Sequence, residues 1–249
     1  MEKSKMKIDR KPELEFVEYK TFEAVPSKTV EGASQRIIAQ IPDTNVATRI
    51  LELEAGTDTS PDGVQVHDFW EELYIIEGSL IDLRLNEEFT AGMVACRPPG
   101  MEHGPWKSPN GCRIFEVRYY ADQKKEEHEF VDHTTFEAQP FSKVKSLSER
   151  VIASDPTTGV ATRILHNGPG TDTSPNGVQV HDFWEELYII EGSLIDLRLN
   201  EEFTAGMVAC RPPGMEHGPW KSPDGCKIFE VRYYSTEQKR GIYRDSAFL

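Results

Sequence analysis

Two histidines, a glutamate and a glutamine stand at spacings that suit metal chemistry. In Gly63-Val-Gln-Val-His-Asp-Phe-Trp-Glu-Glu-Leu-Tyr-Ile-Ile-Glu-Gly78, Gln65 precedes His67 by two residues and His67 precedes Glu71 by four. Read as a strand, the segment 64–67 projects Gln65 and His67 from one face, with Glu71 following at the next turn of chain. A second segment, Gly92-Met-Val-Ala-Cys-Arg-Pro-Pro-Gly-Met-Glu-His103, uses a tight Pro-Pro-Gly turn to aim another imidazole, that of His103. Two imidazoles and a carboxylate with open positions make the facial triad that holds non-haem Fe(II), and Mn, Ni or Zn can occupy the same ligands. Gln65 is a neutral donor weaker than imidazole. It is read as an orienting group or weak fourth ligand, and an amide donor beside only two imidazoles favours Fe or Mn over Zn or Cu.

Other residues could act around such a centre. The run Cys112 to Tyr120 alternates Ile114, Glu116 and Arg118 against Phe115, Val117 and Tyr119, so one face is charged. That face either lies in solvent as a surface ion pair or lines a polar pocket, where Glu116 and Arg118 become candidate catalytic groups. Arg97 and Arg49 could bind an anionic substrate bidentately, and Trp106, Trp70 and Phe69 could wall the cavity. Glu72 is the alternative to Glu71 as the anionic ligand. His128, His133 and His166 have no histidine counterpart one repeat away and are read as structural or exposed. The four cysteines form no C-x-x-C pair and read as reduced thiols on strands.

The elements that must position these residues come in two copies. An offset of 114 residues superposes the chain on itself, with 61 of 64 positions identical over Thr57 to Tyr120 but 22 of 42 over Glu15 to Gly56. The candidates therefore recur: Gln179, His181, Glu185 and His217 as ligands, Glu230 and Arg232 as catalytic groups, Arg211 and Trp220 for substrate. A period this long fits two domains in tandem, over 13–124 and 127–238, with a polar linker between them and a C-terminal arm over 239–249. Within a unit, strand-like runs at Gln35 to Ile41, Val46 to Leu53, Val64 to His67, Leu73 to Ile76, Leu80 to Leu85, Met93 to Cys96 and Cys112 to Tyr120 alternate with turn formers such as Glu77-Gly78. Helical periodicity is almost absent, which predicts an all-β chain of two sandwiches or jelly-roll barrels.

Composition narrows the partners. The chain has 249 residues and a net charge of −14, which argues against binding a phosphate backbone. No apolar run reaches the roughly 20 residues of a membrane span. The charged start, MEKSKMKIDRKPELEF, lacks the apolar core of a signal peptide, so a cytoplasmic location is expected.

The motifs also resemble a known family. Gln65-x-His67-x3-Glu71-x6-Gly78 resembles the first cupin motif, whose usual form has His where Gln65 stands, and Gly92-x5-Pro98-x-Gly100-x2-His103 resembles the second, whose usual final Asn falls on Lys107. Both recur in the second copy, so the protein looks like a bicupin of two jelly-roll barrels. The Glu-Gly-Ser-Leu strand followed by Gly-Cys-x-Ile-Phe-Glu-Val resembles the ChrR-like cupins, a group with zinc-binding anti-sigma domains and acetylacetone-cleaving dioxygenases. The resemblance implies one divalent metal per domain, with Fe(II) favoured. It also implies a dioxygenase acting with O2 on a small enolisable β-dicarbonyl-like molecule. A metal-dependent isomerase or lyase and a non-catalytic sensor are the alternatives. A homodimer or an intrachain pseudo-dimer is expected.

Overall fold

The computed structural model describes residues 10–236; the C-terminal arm expected over 239–249 lies outside the described residues. Strands dominate, and the helical elements among the described residues are four single 3₁₀ turns. The first repeat contains β1 (Leu14–Glu18), β2 (Val25–Pro26), β3 (Ala33–Gln40), β4 (Ala47–Leu53) and β5 (Thr57–Asp58). It continues with β6 (Trp70–Asp82), β7 (Glu87–Thr90), β8 (Met93–Arg97), β9 (Trp106–Ser108) and β10 (Cys112–Tyr119). The second repeats this order as β11 (His128–Asp132), β12 (Gln139–Pro140), β13 (Leu147–Ser154), β14 (Ala161–Asn167) and β15 (Thr171–Asp172). Its remaining strands are β16 (Trp184–Asp196), β17 (Glu201–Thr204), β18 (Met207–Arg211), β19 (Trp220–Ser222) and β20 (Cys226–Tyr233). The strands form two ten-stranded antiparallel sheets, each wrapped into a jelly-roll barrel.

The sheets are not cut where the sequence repeats are. Strand β11, at the start of the second repeat, pairs with β8 of the first barrel, with Val131 opposite Val94. Reciprocally, β1 joins the second barrel at β18, with Val17 opposite Val208. Each exchanged strand buries a phenylalanine in the host: Phe130 packs with Leu73, Ile75 and Phe89, and Phe16 with Leu187, Ile189 and Phe203.

Between the barrels lies a third core, to which Phe115, Val117 and Tyr119 of β10 and their counterparts Phe229, Val231 and Tyr233 of β20 all contribute. Tyr119 and Tyr233 stack at its centre, ring centroids 3.9 Å apart. Both faces of β10 are therefore buried, the apolar face in this shared core and the charged face, Glu116 and Arg118, inside the barrel. The surface reading of that pair is corrected: in a narrow barrel the inner face is where polar groups must go if a site is to exist there.

Two further expectations change. Val64 to His67 is not a strand but a loop held by a single bridge between Gln65 and His103. The run Leu73 to Ile76 and the start of the run Leu80 to Leu85 belong to one continuous strand, β6, which ends at Asp82 and leaves residues 83–85 in the turn to β7; its first half pairs with β8 and β10 and its second half with β7 and β9. Gly78 makes this possible: at φ +75° it kinks the strand without reversing it, and a Cβ there would run into the Gly111 carbonyl. Gly78→Ala should cost about 3 kcal/mol or more, combining left-handed strain with overpacking, read as a lowered urea midpoint. An unchanged midpoint would mean the kink tolerates a side chain.

Candidate metal centre

Strand β6 delivers Glu71 to the barrel interior at its first turn of pleat, opposite Arg97 of β8 and Arg118 of β10. The loop before β6 carries His67 and the loop after β8 carries His103. In each barrel the donor atoms of this set, His67, Glu71 and His103 or His181, Glu185 and His217, lie within 4.8 Å of one another. His103 Nε2 is 3.5 Å and His67 Nε2 is 4.0 Å from the Glu71 carboxylate. Metal–ligand bonds near 2.1 Å at right angles place donors about 3 Å apart, so small side-chain movements would close the set on one ion.

The electrostatics suit a cation. Burial raises the Glu71 carboxyl, but the guanidinium groups of Arg118 and Arg97 outweigh it and hold the acid well below the usual carboxylate range. Arg97 reaches one carboxylate oxygen at 2.8 Å and Arg118 the other at 3.0 Å. Burial, then the Arg97 charge, pushes His103 down to about 2 and, in the second barrel, burial with Arg211 pushes His217 down to about 3. Both imidazoles are thus neutral, the form in which a histidine can bind a metal. The Nδ1 of His103 stands 3.1 Å from the Met101 carbonyl, and that of His217 is 3.2 Å from Met215, which turns Nε2 into the cavity.

These shifts have a sign. An unfolded histidine takes up a proton near pH 6.5, whereas folded His103 stays neutral down to about 2, so the unfolded state binds more protons over that window. Metal-free protein should lose stability as pH falls below 6.5, by up to about 1.4 kcal/mol per pH unit for each such histidine. Denaturant midpoints between about pH 7 and pH 5 test this, and His103→Phe/His217→Phe should flatten the slope.

The remaining candidates divide. Gln65 lines the cavity, but its amide nitrogen donates to the backbone carbonyls of Asp62 and, more weakly, Gly63, at 2.7 and 3.4 Å. Arg97, expected to bind substrate, lines the cavity and is held by carboxylates: besides Glu71 it pairs with Glu129 at 2.7 Å, its guanidinium 5.1 Å from the Trp106 and Phe130 rings. Arg211 is occupied in the same way by Glu185 and Glu15. Glu129 and Glu15 sit on the exchanged strands and were not singled out from the sequence; only their place one residue before the buried Phe130 and Phe16 marks them. Arg49 likewise pairs with Glu116, and with Gln35 at 2.6 Å. Glu116 and Arg118 line the first cavity 3.2 Å apart, as Glu230 and Arg232 line the second at 3.1 Å. Trp106 and Trp220 are cavity wall, but Trp70 packs in the core between the barrels. Glu72, the alternative ligand, is buried there too, bonded to Lys125 at 2.8 Å. All four cysteines are buried, and burial pushes the Cys112 and Cys226 thiols up to about 12.

Each barrel holds a cavity at its centre, walled in the first by Leu73, Leu80, Ile114 and Trp106 and in the second by their counterparts Leu187, Leu194, Ile228 and Trp220. No helix among the described residues is long and apolar enough to cross a membrane.

No protein-family model and no curated protein matches the chain. Solved structures do. A candidate dioxygenase from Nostoc punctiforme superposes with a TM-score of 0.71 at 15% identity, covering 94% of this chain and 90% of its own. A cupin 2 conserved barrel domain protein from Leptotrichia buccalis gives 0.59 at 9% identity, over 89% and 97% of the two chains. Oxalate decarboxylase from Lactobacillus farciminis, solved with formate, gives 0.56 at 13% identity, over 92% and 87%. At such identities the likeness is one of fold, and it spans both barrels in order. With two jelly rolls, each carrying the histidine–glutamate spacing found in the sequence, the chain has the fold of the bicupins, two jelly-roll barrels in tandem.

Proposed function

We propose that each barrel holds one divalent metal ion on two histidines and a glutamate, and that the protein is a non-haem dioxygenase of small enolisable molecules of the β-dicarbonyl kind. The observation that carries this reading is the buried set His67, Glu71 and His103, repeated as His181, Glu185 and His217, at the wall of a small-molecule cavity. Fe(II) or Mn(II) suits the hard carboxylate with two imidazoles; an oxalate decarboxylase of the same fold, from Bacillus subtilis, holds Mn(II). When bound, the ion supplies Lewis-acid polarisation of a chelated carbonyl pair and a place for O2.

The chain's own residues do the rest. Arg97 and Arg118 fix both oxygens of Glu71, so the carboxylate is oriented before any ion arrives. Gln65, tethered through its amide nitrogen, leaves Oε1 as the atom that can contact the ion or a substrate oxygen weakly. Glu116, held by Arg49 and Arg118, is the carboxylate placed to accept the proton of an enolising substrate. Trp106, with Leu73, Leu80 and Ile114, supplies apolar wall that limits water around the reacting carbons.

Anaerobic loading with Fe(II), followed by O2 uptake with acetylacetone and other β-dicarbonyls, tests the reading. Metal-dependent O2 consumption is the expected result; substrate conversion without O2 uptake would replace the dioxygenase by an isomerase or lyase, and loading without any conversion would leave a binding protein.

A further inference from the structure

The ligand-bearing halves of the two repeats are nearly identical, so differences between the cavities concentrate where the repeats diverge, in β3 and β4 against β13 and β14. On β14 the alternate residues Arg163, Leu165 and Asn167 line the second cavity, as Arg49, Leu51 and Leu53 of β4 line the first. The last pair changes from an alkyl group to an amide. Ser27, Ala33 and Asp62 of the first wall also change, to Phe141, Leu147 and Asn176. Of these four second-cavity residues, Asn167 is the one that is both polar and more than nine-tenths buried, at 5% exposure.

The Asn167 side chain makes no hydrogen bond among the described residues. A buried amide left in that state is costly, and native folds keep few of them. The usual structural duty of an asparagine ahead of a turn is closed to it, because the backbone N–H that it would cap, two residues on, is missing from Pro169. The N–H groups on either side are already used: Gly168 donates to the Ser146 carbonyl at 2.7 Å, and Gly170 to those of Ser222 and Pro223 at 3.0 Å. Nor does the strand need an amide there. Leu53 ends β4 in the same register, between Ala33 and Cys112, as Asn167 ends β14 between Leu147 and Cys226.

We propose that Asn167 is the specificity-determining residue of the second cavity. Its amide binds a carboxamide or hydroxyl on the arm of a substrate remote from the metal, whereas the first cavity, with Leu53 in that place, takes an alkyl arm. The proposal rests on the reading of both cavities as sites for enolisable small molecules. Asn167 lies four residues beyond Arg163 on the same face of β14, so it meets the far end of a ligand and not the chelating oxygens. A site built to hydrogen-bond a ligand group discriminates against the analogue that lacks it, because the site's own polar atom is then left buried and unpaired.

Each cavity can be read in the intact chain, since Trp106 lines the first and Trp220 the second. Protein labelled with 5-fluorotryptophan, its resonances assigned through Trp106→Phe and Trp220→Phe, is titrated metal-free and after loading with Zn(II). The probes are pentane-2,4-diones with one methyl extended by three to six methylenes, a range set by the roughly 13 Å that four residues span along a strand. Each arm ends in a carboxamide or in its isopropyl isostere. At the Trp220 signal the best carboxamide probe is expected to bind about ten-fold more tightly than its isostere, and at Trp106 the order should reverse. Asn167→Leu should abolish the preference at Trp220 by weakening the carboxamide probe alone, whereas a merely structural effect would weaken both members of the pair. Leu53→Asn should bring the preference to Trp106. Equal midpoints at Trp220 for every arm length, a preference that survives Asn167→Leu, or silence at Trp220 alone would overturn the role of Asn167 and leave the wider reading standing. Silence of both tryptophans towards every probe would overturn both. Zinc uptake, measured first, reports on the metal centre separately, and in a chain that takes up none the metal-free titration still decides the role of Asn167.

Discussion

Metal content should fall from about two equivalents per chain to near none when His103 and His217 are both replaced by alanine, and to about one when either is replaced alone. The argument is local. His103 is neutral at any physiological pH, its Nδ1 lies against the Met101 carbonyl, and its Nε2 faces Glu71 at 3.5 Å, so its removal takes away a prepared ligand. Loss of a partner that only orients a ligand weakens metal binding about 10–100-fold, and loss of the ligand itself should exceed that. Oxygen uptake should fall with the metal. Elemental mass spectrometry after dialysis against the chosen ion reads the stoichiometry, and circular dichroism shows whether the barrels survive. Two equivalents retained by a folded double variant would place the ions elsewhere and sink the proposed centre.

The second large effect lies between the barrels. Glu72 accepts from Tyr119, from Lys125 and, across the interface, from Thr162; Glu186 is held in the same way by Tyr233, Lys11 and Thr48. Lys125, Glu72, Lys11 and Glu186 have side chains at most 1% exposed, so each charge depends on its partner. Glu72→Leu strands Lys125 and should cost about 3–5 kcal/mol in chemical denaturation, whereas Glu72→Leu/Lys125→Met, which removes both charges, should recover most of it. A single-variant cost below about 1 kcal/mol would mean that water reaches the pair.

Much of this was legible in the sequence because it rests on periodicity and spacing. The strands around Gln35 to Ile41, Val46 to Leu53 and Cys112 to Tyr120 follow from alternating β-branched and aromatic residues, and the bicupin fold from two spaced motifs found twice. Other features are invisible to such reasoning. Alternation tells that Glu116 and Arg118 share a face with Ile114 but not that this face turns inward, since a strand buried on both sides has no solvent face to mark it. The Glu77-Gly78 pair reads as a turn because positive φ serves a kink and a reversal equally well. The exchange of first strands could not be read at all: Glu15-Phe16-Val17 and Glu129-Phe130-Val131 are the same tripeptide, so pattern alone gives neither barrel a preference for its own strand.

That exchange has a consequence for dilution. A single repeat unit could not finish its own barrel or anchor its own Arg97, because the strand and the glutamate that do so arrive from the other unit. Built from separate units, the same contacts would make a two-fold homodimer with reciprocal strands, and its centres would come apart as the protein was diluted. Here the linker over residues 121–128 joins the units, so their encounter is intramolecular, at an effective concentration in the millimolar range that short linkers provide. Completion of both centres is thereby independent of how much protein is present, and because the two halves of the assembly no longer have to be one sequence, each cavity is free to change without the other.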